Sequence, residues 1–333
     1  MPLIESLAFV LFISFIFSSL AKKLHLSEVV GLIVVGLVIS LPFVKQNVVA
    51  ENQETIFYLA QIGLIFLMFI AGFEISSNLL FKEKKDSLTI TIFTVLTSLI
   101  LGVIVFTLLG YSLKVGLIMG VCFGITAEAT KARVLIQLNK LKSRLGAMLM
   151  GVGVINDIFG VMALIVITYF FTTKVNWHEF IILVSIILAF FAGMVVHYIF
   201  NRFSKGVKTV EKLILYLIVP FFFINLGLNI DIYSIVVDYK ILIIVLLTAT
   251  IGQILGVILT KPITKLSFKQ LFLVGWGMNS KGAVELAIAF VALQIGLLPV
   301  NLYSSLVITA LISTILFQVI IFKMVKKNPR IME

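Results

Sequence analysis

The sequence predicts an all-α integral membrane fold with about eleven transmembrane helices, and three observations carry that prediction. Of the 333 residues, 61% are hydrophobic and only 12% are charged, with a mean hydropathy of +1.20. A soluble globular chain is nearer half apolar and a quarter charged. Uninterrupted apolar runs of about 20 residues recur from end to end, the length that crosses a hydrocarbon layer as a helix. The basic residues, finally, alternate from loop to loop.

Eleven spans can be marked: 3–20, 26–44, 55–78, 87–109, 113–137, 144–171, 179–200, 211–230, 240–260, 268–296 and 301–322. Of the 26 Lys and Arg, nineteen fall in loops after odd-numbered spans or in the tail, among them Lys22, Lys82, Lys140, Arg202, Lys261 and Lys326. Only Lys45, Lys114, Lys174 and Lys240 follow even-numbered spans, and Lys131, Arg133 and Lys281 lie inside spans. The positive-inside rule then places the N-terminus outside and the C-terminus in the cytoplasm of a cell (plasma) membrane protein. This distribution assigns the net charge of +11 to the anionic inner leaflet and argues against nucleic acid as a partner. The N-terminus has no basic region or cleavage site of a signal peptide, so the first span is expected to be retained. The single Cys122 lies in an apolar run, which excludes a cysteine metal site, and the three His lack ligand spacing.

No loop or tail has room for a soluble domain, so residues 1–333 read as one membrane transporter domain. Residues 87–171 and 240–322 supply its core, and 1–80 with 179–230 its scaffold. Each core stretch reads as a plain span, a span with a polar interruption at its middle, and a third span. The first triplet starts inside and the second outside. Inverted repeats whose broken helices meet near the midplane are a recurrent transporter architecture.

The polar residues of the spans carry the chemistry. Asn156-Asp157 sits in the middle of span 144–171, and thirteen residues of rise from Arg144 put Asp157 roughly 20 Å into the layer. A carboxylate there costs at least ~2.5–3.5 kcal/mol, so it marks a functional site by default; the bland alternative is an acid satisfied by a neighbouring helix. Span 113–137 carries Gly124-Ile125-Thr126-Ala127-Glu128-Ala129-Thr130-Lys131, which predicts unwound backbone facing a cavity. Glu128 and Lys131, three residues apart, can pair on one face, which competes with a direct ion-binding role for Glu128. Gly116, Gly120 and Gly124 form a close-packing face before the interruption.

Span 268–296 has Gly275 through Glu285 at its centre, where three glycines and a Lys281–Glu285 pair make a continuous helix unfavourable. Ser280 lies in the same interruption, and Gln253 falls at the midplane of span 240–260. A desolvated carboxylate favours its neutral form, so it can exchange a proton for a small hard cation, which takes oxygen ligands. Asp157, the Asn156 amide, Thr126 and open carbonyls would supply these. One carboxylate that binds a proton or a cation, never both, is sufficient for exchange without nucleotide or other cofactor. No phosphate-binding glycine motif is present.

At these residues the chain resembles the monovalent cation:proton antiporter superfamily, in its sodium/proton and Kef-type branch. The likeness rests on Ser27-Glu28-Val29-Val30-Gly31, on Leu67 to Glu74, on Arg133-Val134-Leu135 through Asn156-Asp157, on Pro220 to Gly227, and on Ser280 to Glu285. It implies a six-helix core with crossed broken helices, beside a scaffold that forms a homodimer. It also implies that Asp157 carries Na⁺ or K⁺ and H⁺, with Asn156 as its neighbour and Thr126 in the unwound crossing.

The chain departs from the pattern in several places. Electrogenic members carry two acids where this chain has Asn156-Asp157, and a Lys where it has Gln253; one-for-one electroneutral exchange is therefore expected. Lys281 is the nearest candidate for the core Arg of electroneutral relatives, and Glu128 is an unusual acid just past the crossing. Two family spans between 179–200 and Val219 are missing, which removes scaffold from the dimer interface. The competing readings are a Kef-type potassium efflux pathway, a proton- or sodium-coupled organic solute carrier, and a non-transporting sensor.

Overall fold

A computed structural model describes residues 2–24, 26–74, 84–171, 177–199 and 213–333. The basic loop residues Lys82, Lys174, Arg202, Lys205, Lys208 and Lys212 lie outside the described residues. The chain divides into two compact units, residues 1–75 with 175–232, and residues 76–174 with 233–333.

The first unit holds helices α1 (Leu3–Lys23), α2 (Glu28–Ser40), α3 (Gln53–Glu74), α8 (Trp177–Ile199) and α9 (Val219–Leu228). Its interfaces depend on glycines, because helices in lipid gain by close backbone approach and not by excluding water. Gly36 of α2 lies against Ile224 and Gly227 of α9, and Gly72 of α3 against the Phe190 carbonyl of α8. Val10, Val35, Ile39, Ile56, Phe221 and Ile224 fill the space between α1, α2, α3 and α9.

The second unit holds α4 (Lys84–Leu108), α5 (Leu113–Gly124), α6 (Glu128–Gln137), α7 (Arg144–Phe171), α10 (Tyr239–Leu259), α11 (Phe268–Gly277), α12 (Ala283–Gln294) and α13 (Val300–Lys327). The span expected at 113–137 is thus two helices, α5 and α6, and the span expected at 268–296 is α11 and α12. Among the described residues, α1, α4, α7, α10 and α13 are long and apolar enough to cross a membrane, as is the stretch Pro42–Phe73 that contains α3. Shorter apolar helices, the half-helices α5 and α12 among them, accompany these.

Helix α4 is clamped between α5 and α10 by small residues. A Cβ on Gly120 of α5 would stand 2.6 Å from the Leu99 Cα, and one on Gly256 of α10 would stand 2.6 Å from the Thr94 Cα. At one end of the unit, Val134, Leu145, Leu149, Leu271, Val274 and Phe317 form a buried core, onto which Ile331 and Met332 of the tail fold. Lys140 pairs with Glu333 at 2.9 Å, and Gln270 Nε2 donates to the Ile331 carbonyl at 3.3 Å.

Gly120→Leu drives a side chain into the α4 backbone, which cannot yield as a flexible side chain would. Overpacking of this kind costs about 1–3 kcal/mol, so the thermal midpoint of the detergent-solubilised variant should fall. An unchanged midpoint would show that α4 and α5 do not rely on this contact.

Candidate functional site

Helix α5 ends at Gly124, and the backbone is extended at Ile125 and at Ala127, which caps α6. Helix α11 ends at Gly277, and Gly282, also extended, caps α12. The two breaks meet. The Ala127 N–H donates to the Ser280 carbonyl at 2.7 Å, and Ser280 Oγ donates back to the Ala127 carbonyl at 3.2 Å. Gly282 permits this approach, since a Cβ there would lie 2.5 Å from the Ala127 Cβ.

A helix that stops inside the layer leaves its last carbonyls without partners. Donors from three other elements meet the end of α5. Lys281 Nζ donates to the carbonyls of Phe123 (2.7 Å), Ile125 (3.2 Å) and Cys122 (3.3 Å). Gln253 Nε2 of α10 donates to the Phe123 carbonyl, and Asn156 Nδ2 of α7 to the Gly124 carbonyl at 3.3 Å. A cation at a helix C-terminus also complements the dipole. The Lys281–Glu285 pair expected from the sequence is present at 3.7 Å. It is longer than the carbonyl contacts, and neither Glu285 carboxylate oxygen has a hydrogen-bond partner. Lys281 is therefore first a cap for α5 and second an ion-pair partner.

The carbonyl end of α11 is met by uncharged groups. Asn279 Nδ2 donates to the Gly275 carbonyl at 2.9 Å and Ser280 Oγ to the Gly277 carbonyl at 3.4 Å. Thr314 of α13 holds the segment between by accepting from the Lys281 N–H and donating to the Lys281 carbonyl, both at 3.2 Å.

Helix α7 brings the acid to the first break. Asn156 is fully buried and Asp157 is 9% exposed. Besides the Gly124 carbonyl, Asn156 Nδ2 reaches Thr126 Oγ1 at 3.3 Å, while its Oδ1 is buried without a hydrogen-bond partner. Gly153 and Gly160 bare the face of α7 turned to the breaks: a Cβ at 153 would stand 3.1 Å from the Glu128 Cβ, and one at 160 would stand 2.7 Å from Val284 Cγ1. Lys131 is fully buried and its Nζ donates to Thr126 Oγ1 at 2.7 Å.

All eight residues singled out in the sequence, Thr126, Glu128, Asn156, Asp157, Gln253, Ser280, Lys281 and Glu285, lie on the two breaks or on the helices packed against them. Three participants had no assigned role in the sequence reading. Thr314 is an ordinary polar residue of an apolar span, and nothing in its neighbourhood announces a partner. Asn279 lies within the interruption marked in the sequence but was given no role of its own. Lys131 was read only as a partner of Glu128, although its position inside a span was the signal that it serves the site.

Comparison with known proteins places the chain. Residues 8–218 and 185–327 match the sodium/hydrogen exchanger transmembrane family. The chain belongs to that family. The two matches overlap at 185–218. A Na⁺/H⁺ antiporter of Enterococcus hirae is 24% identical over 93% of this chain and 95% of its own length. The Na⁺/H⁺-K⁺ antiporter GerN of Bacillus cereus is 24% identical over 88% of each chain. Among solved structures, the sodium proton antiporter MjNhaP1 of Methanocaldococcus jannaschii superposes with a TM-score of 0.66 over 96% of both chains at 19% identity. The fold is that of a sodium/proton antiporter, and the protein is a multi-pass membrane transporter, not an enzyme.

Lys281→Met strips three carbonyls and one buried carboxylate of their cation. Removing one member of a buried charged set costs about 3–5 kcal/mol, so unfolding in detergent should move to markedly lower temperature, with Lys281→Arg recovering part of the loss. Equal melting of wild type and Lys281→Met would refute the capping role.

Proposed function

We propose that this protein exchanges one monovalent cation, Na⁺ or K⁺, for one proton, with Asp157 as the carboxylate both occupy in turn. The observation that carries the reading is the buried Asn156 Oδ1, which has no hydrogen-bond partner on a side chain whose Nδ2 bonds Gly124 and Thr126 of the first break. A free amide oxygen in such a place suits a cation. Thr126 Oγ1 and the Asp157 carboxylate would supply further oxygens. Glu128 at the head of α6 contributes negative potential, and Ser280, Gln253, Lys281 and Glu285 hold the crossing in shape.

The proton and the cation satisfy the same negative charge, so either one fills the site and excludes the other. Alternating access converts that exclusion into exchange. Asn156 stands where a second acid would sit, and Glu285 has its own lysine. One negative charge is therefore carried per cycle, which makes the exchange electroneutral. Potassium enters the reading because GerN, a relative over nearly the whole chain, is named for K⁺ as well as Na⁺. The distribution of lysines and arginines supports a plasma-membrane protein with the N-terminus outside and the C-terminus in the cytoplasm, and the family likeness would add a homodimer through the scaffold.

Everted vesicles provide the test. Na⁺, K⁺ and Li⁺ are titrated into vesicles holding a pH gradient, for wild type and Asp157→Asn. The wild type should dissipate the gradient with at least one cation, with weaker apparent affinity at lower pH because protons compete, and the variant should be inert. A variant that retains cation-dependent proton movement would remove Asp157 from the role. In proteoliposomes an imposed membrane potential should leave the rate at saturating cation unchanged; a clear response would sink the one-for-one stoichiometry.

A further inference from the structure

The lysine on the first break has no part in the exchange as just described, yet it occupies the site. We propose that Lys131 is a tethered cation: its ammonium holds the Thr126 side of the ion site when no transported ion is bound, and the incoming ion must displace it toward Glu128. This rests on the exchange reading above and adds a competitor that belongs to the protein itself.

Four observations carry it. Lys131 Nζ donates to Thr126 Oγ1 at 2.7 Å, and Asn156 Nδ2 donates to the same oxygen at 3.3 Å. A hydroxyl oxygen has two acceptor lone pairs, so Thr126 cannot ligate a cation until one donor leaves. The charges that act on Lys131 are those of Glu128 on its own helix and Asp157 on α7, opposed by Lys281 on the second break. An ammonium bonded to a site hydroxyl and attracted by two carboxylates answers to the same charges as a monovalent metal ion would. The side chain is fully buried, so it is not drawn out to water. Finally, the place is shaped for it: a Cβ on Gly153 would stand 3.2 Å from Lys131 Nζ and 3.2 Å from the Glu128 Cγ. The ammonium and the stem of Glu128 thus share the gap left by one glycine on α7.

Lys131 and Glu128 are three residues apart on α6, so the ammonium need only change its lean within one helical turn. The displacement itself moves no proton, and the count of ions exchanged is unaffected. The effect is on affinity. Each cation bound has to replace the charge-assisted hydrogen bond between Lys131 and Thr126. A lysine that merely braced the break, by contrast, would never leave Thr126.

Cation titrations in proteoliposomes separate these roles. Lys131→Met should bind the transported cation about tenfold more tightly, equivalent to about 1.4 kcal/mol. That variant also leaves the site one charge more negative, so the pair Glu128→Gln with Lys131→Met, which keeps the net charge, is the decisive one and should show the same gain. Glu128→Gln alone should weaken cation binding, because the displaced ammonium then has no carboxylate to receive it. An unchanged or weaker apparent affinity in the charge-neutral pair would overturn the proposal and leave Lys131 as a brace, with exchange through Asp157 intact. A wild type that moves protons with no cation at all would overturn both readings. Should Lys131→Met fail to accumulate in the membrane, the charge-neutral pair decides the question by itself.

Discussion

Interrupting a helix inside a hydrocarbon layer leaves carbonyls that water cannot reach, and here the arrangement of the second unit follows from finding donors for them. The carbonyls of Cys122, Phe123, Gly124 and Ile125 are met by Lys281, Gln253 and Asn156. These donors come from the second break, from α10 and from α7, so one cluster of oxygens fixes three elements around α5. The glycine contacts serve the same end. Gln253 reaches Phe123 because Gly252 and Gly256 hold α10 close to α4, and Gly116 and Gly120 hold α5 against the other side. A larger residue at any of these positions would move a donor as well as a helix.

The spans were legible because hydrocarbon thickness imposes one length, and the inner leaflet sorts the lysines between them. The interruptions were legible too: a Thr-Ala-Glu-Ala-Thr run and a Gly-Trp-Gly-Met-Asn-Ser-Lys-Gly run have no place in a lipid-facing helix. What the sequence left out was the further partners of the lysines. The Lys281–Glu285 pair read from a spacing of four is present at 3.7 Å, but α12 starts only at Ala283. Lys281 therefore lies on extended backbone and spends its shortest contacts across the crossing. Glu128 and Lys131 stand three apart on α6, and the Lys131 ammonium also reaches back past the start of that helix to Thr126. Spacing rules hold along a continuous helix, and the site is built where continuity ends.

The two breaks share a pattern and use it differently. Each places an acid in the first turn of its second half-helix, Glu128 in α6 and Glu285 in α12, where the helix dipole favours negative charge. Each also supplies a lysine. Lys281 answers an obligation of the backbone and cannot be spared. Lys131 bonds a side-chain hydroxyl, and no carbonyl depends on it. The sequence pairs the lysines alike with their acids, but only the geometry separates a fixed cap from a cation that can be moved aside.

That separation fixes the charge available to a passenger. Three carboxylates, Glu128, Asp157 and Glu285, gather with two lysines, Lys131 and Lys281. With both lysines and all three acids ionised, the crossing carries one negative charge in excess. An uncompensated charge in a low-dielectric interior costs several kcal/mol, so the crossing is most stable with one more positive charge bound. In the exchange proposed above, a proton on Asp157 or a single alkali cation beside it would supply that charge, whereas a divalent ion or a proton with a cation would overshoot. For the exchange proposed above, single occupancy would then follow from the charges of these side chains. It does not depend on a cavity too small for two ions, and it holds whichever side of the Thr126 oxygen the Lys131 ammonium takes.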